Sequence, residues 1–413
     1  MSETNYQFYP GRIKIDEVVI SNTVSKVDVT DLFVEMNLNA FITGDTTSVE
    51  IVIMDSSNVF TKYSLRGGDN VSVSVSTNDS TKVFNLKIKN IKDITNMDSQ
   101  KAYVLECVSH FAFQSYHKGI IKAYEGTITG IAREIFNEYT TDTDKIGHFE
   151  ESSNSAKYVI PNWSVIYTLN WLAAKAVWPK DNVRYRFFQD SSLRYNFIPL
   201  ELGIELYKEK PAFKYTHNLI AATKGEQQAP NSEATYKGIR DLTFEDSFDL
   251  GASLLSGDIT GEILNANLTK KTYNRLTFNY FEEFSKDKHL NDYPQYKPDI
   301  YENAKTIYDL TTSKLHNLDS SNRSVDTSKI YYSRLNNSQV INITVVGNPV
   351  IEVGTVIEIE VAAPETNNEK NTRIDTGVSG LYYVIGKRDV YKVNEHEMHL
   401  SLAKESQIES IEQ

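Results

Sequence analysis

A chain of 413 residues, 40% hydrophobic and 24% charged, is long enough for more than one core and has the composition of a folded protein, which excludes wholesale disorder. Its 19 glycines and 10 prolines are too few for collagen-like or low-complexity architecture, and its net charge of −12 is the wrong sign for gripping phosphate by counterion release. The single cysteine, Cys107, excludes a disulfide framework and a thiolate zinc cluster.

Tyrosine is abundant, 25 against 3 tryptophans, and such rings are favoured where proteins meet. The start, Met1-Ser2-Glu3-Thr4-Asn5, has neither the basic nor the apolar region of a signal peptide. No apolar run approaches the roughly 20 residues that span a bilayer. The expectation is a soluble product made in a reducing cytoplasm, with no membrane insertion and no specific nucleic-acid binding.

Residues 12–110 read as strands. Phe33 to Met54 forms a long hairpin around Thr43-Gly44-Asp45. After the turn signal Arg66-Gly67-Gly68-Asp69-Asn70, Val71-Ser72-Val73-Ser74-Val75-Ser76 alternates strictly, with valines on one face and serines on the other. Lys87–Ile94 and Ala102–Val108 pair through Asn96-Met97-Asp98. The period then changes. Thr127 caps an amphipathic helix with Ile128, Ile131, Ala132, Ile135, Phe136 and Tyr139 on one stripe. Ser164 caps a second, with Ile166, Leu169, Leu172, Ala173, Ala176 and Val177 inward and Pro179 as the stop. Tyr185–Phe188 and Leu193–Phe197 make a hairpin around Asp190-Ser191-Ser192. Strands resume near 236, and Val356–Val361 alternates again with Glu358 and Glu360 outward. Residues 286–335 are polar and poor in pattern; they read as a peripheral insertion with one short helix near Tyr301–Leu315.

The first and last β regions share an order of signals. Gly68-Asp69-Asn70 before Val71-Ser72-Val73 matches Gly354-Thr355 before Val356-Ile357-Glu358-Ile359. Ile91-Lys92-Asp93-Ile94 lines up with Lys387-Arg388-Asp389-Val390, and Tyr103-Val104-Leu105 with Met398-His399-Leu400. Upstream, Asp31-Leu32-Phe33 and the Gly44 turn are set against Asp246-Ser247-Phe248 and the Gly257-Asp258 turn, and the second copy carries an extra loop, Pro364–Gly377. The expected fold class is mainly β with an α/β insertion: two tube-type antiparallel β-barrel domains from an internal duplication plus a helix-containing domain. The expected domains are 1–110 (first barrel), 111–205 (inserted α/β domain), 206–285 (first part of the second barrel), 286–335 (insertion) and 336–413 (remainder of the second barrel and tail). Three such chains in a ring present six barrels, a pseudo-six-fold surface on a three-fold object.

This order of parts resembles the baseplate hub proteins of contractile phage tails and their relatives in contractile injection machines, over roughly 20–200 and 236–405. The resembling elements are the Asp31-Leu32-Phe33 to Asp55 hairpin, the Gly67-Gly68-Asp69 strand, the helix with Gly130-Ile131-Ala132-Arg133-Glu134-Ile135-Phe136, Ile160-Pro161-Asn162-Trp163 opening the helix that ends Leu172-Ala173-Ala174, and the last barrel from Val353-Gly354 to Gly380-Leu381-Tyr382. The resemblance implies a homotrimer that packs on a tail tube protein ring on one side and a central spike protein on the other. The tape-measure protein and baseplate wedge components are further partners. It also implies a lumen for genome passage, where acidic walls let phosphate slide, and residence in the virion tail baseplate after assembly in the host cytoplasm.

Each candidate for chemistry has a plainer reading. His396-Glu397-Met398-His399 is spaced i, i+3 rather than the i, i+4 of helical zinc proteases, and on a strand the two histidines face opposite ways. Cys107-Val108-Ser109-His110 sits in an apolar strand, the setting of an inert buried thiol. Glu282-Glu283 and the Glu358/Glu360 pair lie in solvent-facing patterns. Gly67-Gly68 lacks the Lys-Ser/Thr of a phosphate loop, and Lys62 and Arg66 beside it read as surface charge. Trp171 and Trp178, seven apart, read as one packed helix face, with Trp163 nearby. No catalytic, cofactor-binding or metal residue and no cofactor are therefore assigned, and no enzymatic activity is expected. A tail-associated cell-wall hydrolase and a carbohydrate-binding tail-tip protein are the alternatives.

Overall fold

The computed structural model describes residues 11–410 apart from 78–80, 98–99, 142–144, 179–184, 218–235, 247, 258, 268–270, 287, 298–304, 312–338 and 364–373. Alternation decides the β regions. Asn70–Ser76 buries its three valines and turns its serines outward, and Ser48–Asp55 alternates in the same way. Each fully buried Val or Ile contributes roughly 1.5–3 kcal/mol relative to exposure.

The central sheet has 13 strands. Its first unit runs, neighbour to neighbour, Phe33–Phe41, Ser48–Asp55, Lys101–Val108, Thr81–Asn96, Asn70–Ser76, Lys14–Ser21, with Lys26–Asp28 on the edge. Its second unit runs Asp241–Asp246, Gln339–Val346, His396–Lys404, Gly380–Lys392, Val356–Val361, Lys214–His217. Apart from the edge strand Lys26–Asp28, which has no counterpart among the described residues, the strand order repeats. Only the last pair differs: Lys14–Ser21 runs antiparallel to Asn70–Ser76, whereas Lys214–His217 runs parallel to Val356–Val361. The units join where Gly386–Lys392 pairs antiparallel with Phe41–Glu35. One core holds Val18, Ile51, Val73, Leu105 and Cys107; another holds Ile341, Ile343, Ile357, Tyr382 and Leu402.

Between the units stands a helix-containing region with its own core, including Ile131, Phe136, Leu169, Phe187 and Tyr195. Helix Ile128–Tyr139 begins where Thr127 accepts from the Gly130 N–H, and helix Val165–Ala173 where Ser164 accepts from the Tyr167 N–H. The second helix ends at Ala173, short of Pro179, which lies outside the described residues. Trp178 therefore sits beyond the helix and does not share a face with Trp171; both still pack in the core region. Short helices at Val59–Lys62, His110–Ser115 and Leu200–Tyr207 had no signal long enough to read.

The upstream half of the repeat differs from expectation. Gly257, at φ +86, is the left-handed cap of helix Leu250–Ser256 and not a strand turn; Ser247 and Asp258 lie outside the described residues. Ladder register instead sets Glu35–Leu38, opposite Val52–Val49, against Asp241–Phe244, opposite Thr344–Ile341. Where the first unit turns at Gly44, the second leaves the sheet at Asp246 and returns at Gln339. Within that excursion Thr260–Asn267, Thr272–Asn279 and Lys305–Thr311 form a separate sheet. The helix expected near Tyr301–Leu315 is a strand over Lys305–Thr311, as its Thr, Ile and Tyr content favours; residues 301–304 and 312–315 lie outside the described set. Of the expected peripheral insertion, His289, Leu290 and Asn291 are buried. The Leu290 N–H donates to Glu405 Oε1 (2.9 Å) and the Asn291 N–H to Ser406 Oγ (2.8 Å). Most of the expected loop Pro364–Gly377 (364–373) lies outside the described residues.

A buried polar junction as the candidate functional site

The three regions meet at one cluster of charged side chains. It starts from a turn. Asp190 accepts from the Ser192 N–H (3.0 Å), the Arg194 N–H (2.8 Å) and Arg194 Nε (2.9 Å), and Leu193 adopts φ +59. These bonds close the hairpin Tyr185–Gln189/Arg194–Pro199 in the manner of an Asx turn and present Ser191 and Ser192 to the sheet. Thr47, at the first unit's hairpin, donates Oγ1 to the Gln189 and Asp190 carbonyls at 3.0 and 3.1 Å.

The second unit supplies the charges. Lys387 and Asp389 are two apart on one strand and so share its inner face. Lys387 Nζ donates to Ser191 Oγ (2.9 Å) and to the Ile351 carbonyl (2.7 Å), and lies 3.2 Å from Asp389 Oδ2. Asp389 Oδ1 is 2.7 Å from His396 Nε2. Glu352 accepts from Ser191 Oγ (2.5 Å), the Ser191 N–H (3.2 Å) and Ser192 Oγ (2.7 Å). From the first unit, Lys82 Nζ reaches Ser192 Oγ at 3.3 Å.

Electrostatics make this a tie. Burial opposes the Lys387 charge, but Asp389 and Glu352 outweigh it and raise its pKa. Burial likewise opposes the Asp389 charge, yet Lys387 and then His396 hold its carboxyl down at about 2. Asp190 is raised by burial and by the charge of Glu352, and burial lowers Lys82. The Ser191–Lys387 contact has the outline of a nucleophile beside a base. A lysine held protonated is no base, however, and Ser191 is 1% exposed. The arrangement fixes three regions to one another.

The residues singled out from sequence lie apart from it, except His396, whose ring pairs with Asp389. His399 points the other way, toward Thr344 Oγ1 at 3.0 Å. Cys107 is in the first core, where burial pushes its thiol pKa up, and His110 opens the helix His110–Ser115. Glu358 and Glu360 both pair with Lys214, at 2.8 and 2.9 Å. Glu282 is exposed; the side chain of Glu283 lies outside the described set. Lys62 Nζ donates to the Ser57 carbonyl, and the Arg66 N–H to Asp69. Gly68, at φ +96, shapes the turn into Asn70–Ser76. Trp163, Trp171 and Tyr158 stack edge to face, with centroids 4.6 Å apart for Tyr158–Trp171 and 5.3 Å for Trp163–Trp171. Sequence reasoning missed the junction. Its one signal was Lys387 and Asp389 at inward positions of a strand that is otherwise apolar on that face.

No protein-family model matches the sequence, and no curated relative does. Solved structures match over nearly the whole fold. A tail protein from Neisseria meningitidis MC58 superposes with a TM-score of 0.56 at 10% identity, covering 94% of this chain and 96% of that one. A 43 kDa tail protein of prophage MuSo2 from Shewanella oneidensis gives 0.56 at 8% identity, covering 94% and 98%. This chain has the fold of phage tail proteins.

Proposed function

We propose that this chain is the structural hub of a contractile phage tail baseplate, a homotrimer that adapts the six-fold tail tube to a three-fold central spike and leaves a channel for the genome. The observation that carries this reading is the repeated strand order, in a chain whose fold matches two tail proteins over 94% of its length. The repeat is the product of an internal duplication. Residues 1–110 make one tube-type barrel, and 206–285 with 336–413 make the second; 111–205 are an inserted α/β domain and 286–335 an insertion. Three chains then give six units around one axis.

The buried junction supports the same reading, because an adapter under axial load needs its two units held at one angle. The net charge of −12 suits a lumen through which phosphate slides. The tube ring packs on one face and the spike on the other, with the tape-measure protein and wedge components as further contacts. The protein works in the virion and assembles in the host cytoplasm. Its role is structural, without cofactor or catalysis. Light scattering across a concentration series tests the proposal. The expected particle has three times the monomer mass of 47.0 kDa, and a monomer at every concentration, with or without the spike protein, overturns it.

A further inference from the structure

The joint between the two units is a template that leaves two edges over. In the first unit the Gly68 N–H donates to the Ile88 carbonyl (2.7 Å) and the Ile88 N–H to Asp69 O (2.9 Å). In the second, the Gly354 N–H donates to the Val384 carbonyl (2.9 Å) and the Val384 N–H to Thr355 O (2.9 Å). Ile88 therefore corresponds to Val384. Both strands bulge at the next residue, with register shifts between Ile88 and Asn90 and between Val384 and Gly386. Beyond the bulge, Gly386–Lys392 is covered by Phe41–Glu35. The corresponding edge, Asn90–Asn96, carries no strand among the described residues. The counterpart of the covering strand is Asp241–Asp246, which among the described residues pairs on one side only, with Gln339–Val346.

The leftover edges differ in charge. Along this half of Thr81–Asn96, Lys89 is paired with Glu106 and Lys92 with Glu50, leaving Lys87 and Asp93, whereas Asp241–Asp246 carries Asp241, Glu245 and Asp246. Each also exposes a large apolar side chain, Ile94 at 49% and Phe244 at 52%. In the joint already made, Met36, Leu38, Val390 and Tyr391 are buried. An uncovered edge of this length is a ready template for another strand.

We infer that Asp241–Asp246 of one copy pairs antiparallel with Asn90–Asn96 of the next, in the register that joins Phe41–Glu35 to Gly386–Lys392. This rests on the hub reading and names its protomer interface. A second bulge, between Lys92 and Thr95, puts Thr95 in the place of Val390, and Thr243 stands in the place of Asn37. Val390 and Asn37 are partners, so Thr95 of one copy faces Thr243 of the next. The contact is head to tail, the kind that makes a ring when its rotation closes, here at three copies, and an open filament when it does not.

The test is a chain carrying both Thr95→Cys and Thr243→Cys, oxidised at trimer-forming concentration, with the native Cys107 buried and out of reach. The expected result is a covalent trimer on a denaturing gel, and no cross-link in either single variant. A trimer by light scattering that forms no cross-link overturns the strand pairing and leaves the hub reading standing. A monomer at every concentration, with or without the spike protein, overturns both. As a second measurement, Asp241→Lys with Glu245→Lys, both at exposed positions, is expected to lower the trimer association constant roughly tenfold or more. An unchanged constant in a folded variant overturns the pairing independently of disulfide chemistry.

Discussion

Replacing Lys387 by Met removes the cation at the centre of the junction and leaves the buried Asp389 and the half-buried Glu352 around an apolar side chain. Lys387 and Asp389 are 1% and 0% exposed at the side chain, so water does not compensate. Breaking a buried pair by removing one partner costs about 3–5 kcal/mol. With a urea slope near 3 kcal/mol/M, the unfolding midpoint falls by roughly 1–1.7 M. The tryptophans, at 163, 171 and 178, all report on the helix-containing region, whereas far-ultraviolet circular dichroism is dominated by the sheets. In the native protein the two transitions coincide; in Lys387→Met they separate, because the junction couples the regions. Adding Glu352→Gln removes one charge of each sign from the cluster and recovers at least half of the loss. A single variant within about 0.5 kcal/mol of wild type, the usual range for substitutions away from such features, refutes the coupling role.

Among the described residues Lys404 is buried with no carboxylate in contact, donating to the Gly377 and Ser379 carbonyls and to Gln407 Oε1, and burial lowers its pKa to about 7. The unfolded chain holds this proton up to about pH 10.4, so the charged lysine destabilises the fold below pH 7 and the penalty is relieved as pH rises from 7 to about 10. Unfolding free energy of wild type relative to Lys404→Met should climb by on the order of 4 kcal/mol across that window; parallel pH profiles refute the shift. Gly354→Ala should destabilise more than Gly68→Ala. Both glycines have positive φ (+92 and +96), which penalises alanine by roughly 1–2 kcal/mol. Only at Gly354 does the new Cβ also meet a ring, Phe188, at 3.3 Å, against 4.0 Å to Phe113 at Gly68. Paired denaturation curves decide this, and equal losses refute the packing argument. Thr127→Ala and Ser164→Ala should each cost about 1 kcal/mol by removing a cap, read as loss of stability in tryptophan fluorescence melts.

Sequence alone carried the local elements well, because alternation and capping are local physics. Val71–Ser76, Thr127 and Ser164 behave as their neighbours dictate. Of the expected match between Ile91-Lys92-Asp93-Ile94 and Lys387-Arg388-Asp389-Val390, Ile91-Lys92 and Lys387-Arg388 agree with the register fixed by the Gly68 and Gly354 hydrogen bonds. The bulge between Lys92 and Thr95 sets Thr95, not Ile94, in the place of Val390. The upstream half was illegible, since the second unit replaces a short turn with an excursion from Asp246 to Gln339, and no composition shift marks where the sheet is left. Lys305–Thr311 misled because its β-favouring Thr, Ile and Tyr are few and the pairing that fixes the strand lies far off in sequence, beside Thr260–Asn267. The junction was hidden for the same reason. The partners of Lys387, Ser191 and Ile351, are distant in sequence, and the inward placement of Lys387 and Asp389 on an apolar strand face was the one local sign of it.

The strand pairing that joins the two units has a consequence for how a ring is built. In a ring of six units, every second joint is closed within a chain before two chains ever meet. That joint forms within one chain, so it does not depend on protein concentration and dilution does not open it. In the proposed ring, three seams are then left to form between chains instead of six. A ring that comes apart yields unit pairs, so the smallest piece in solution already contains one finished seam to guide the next.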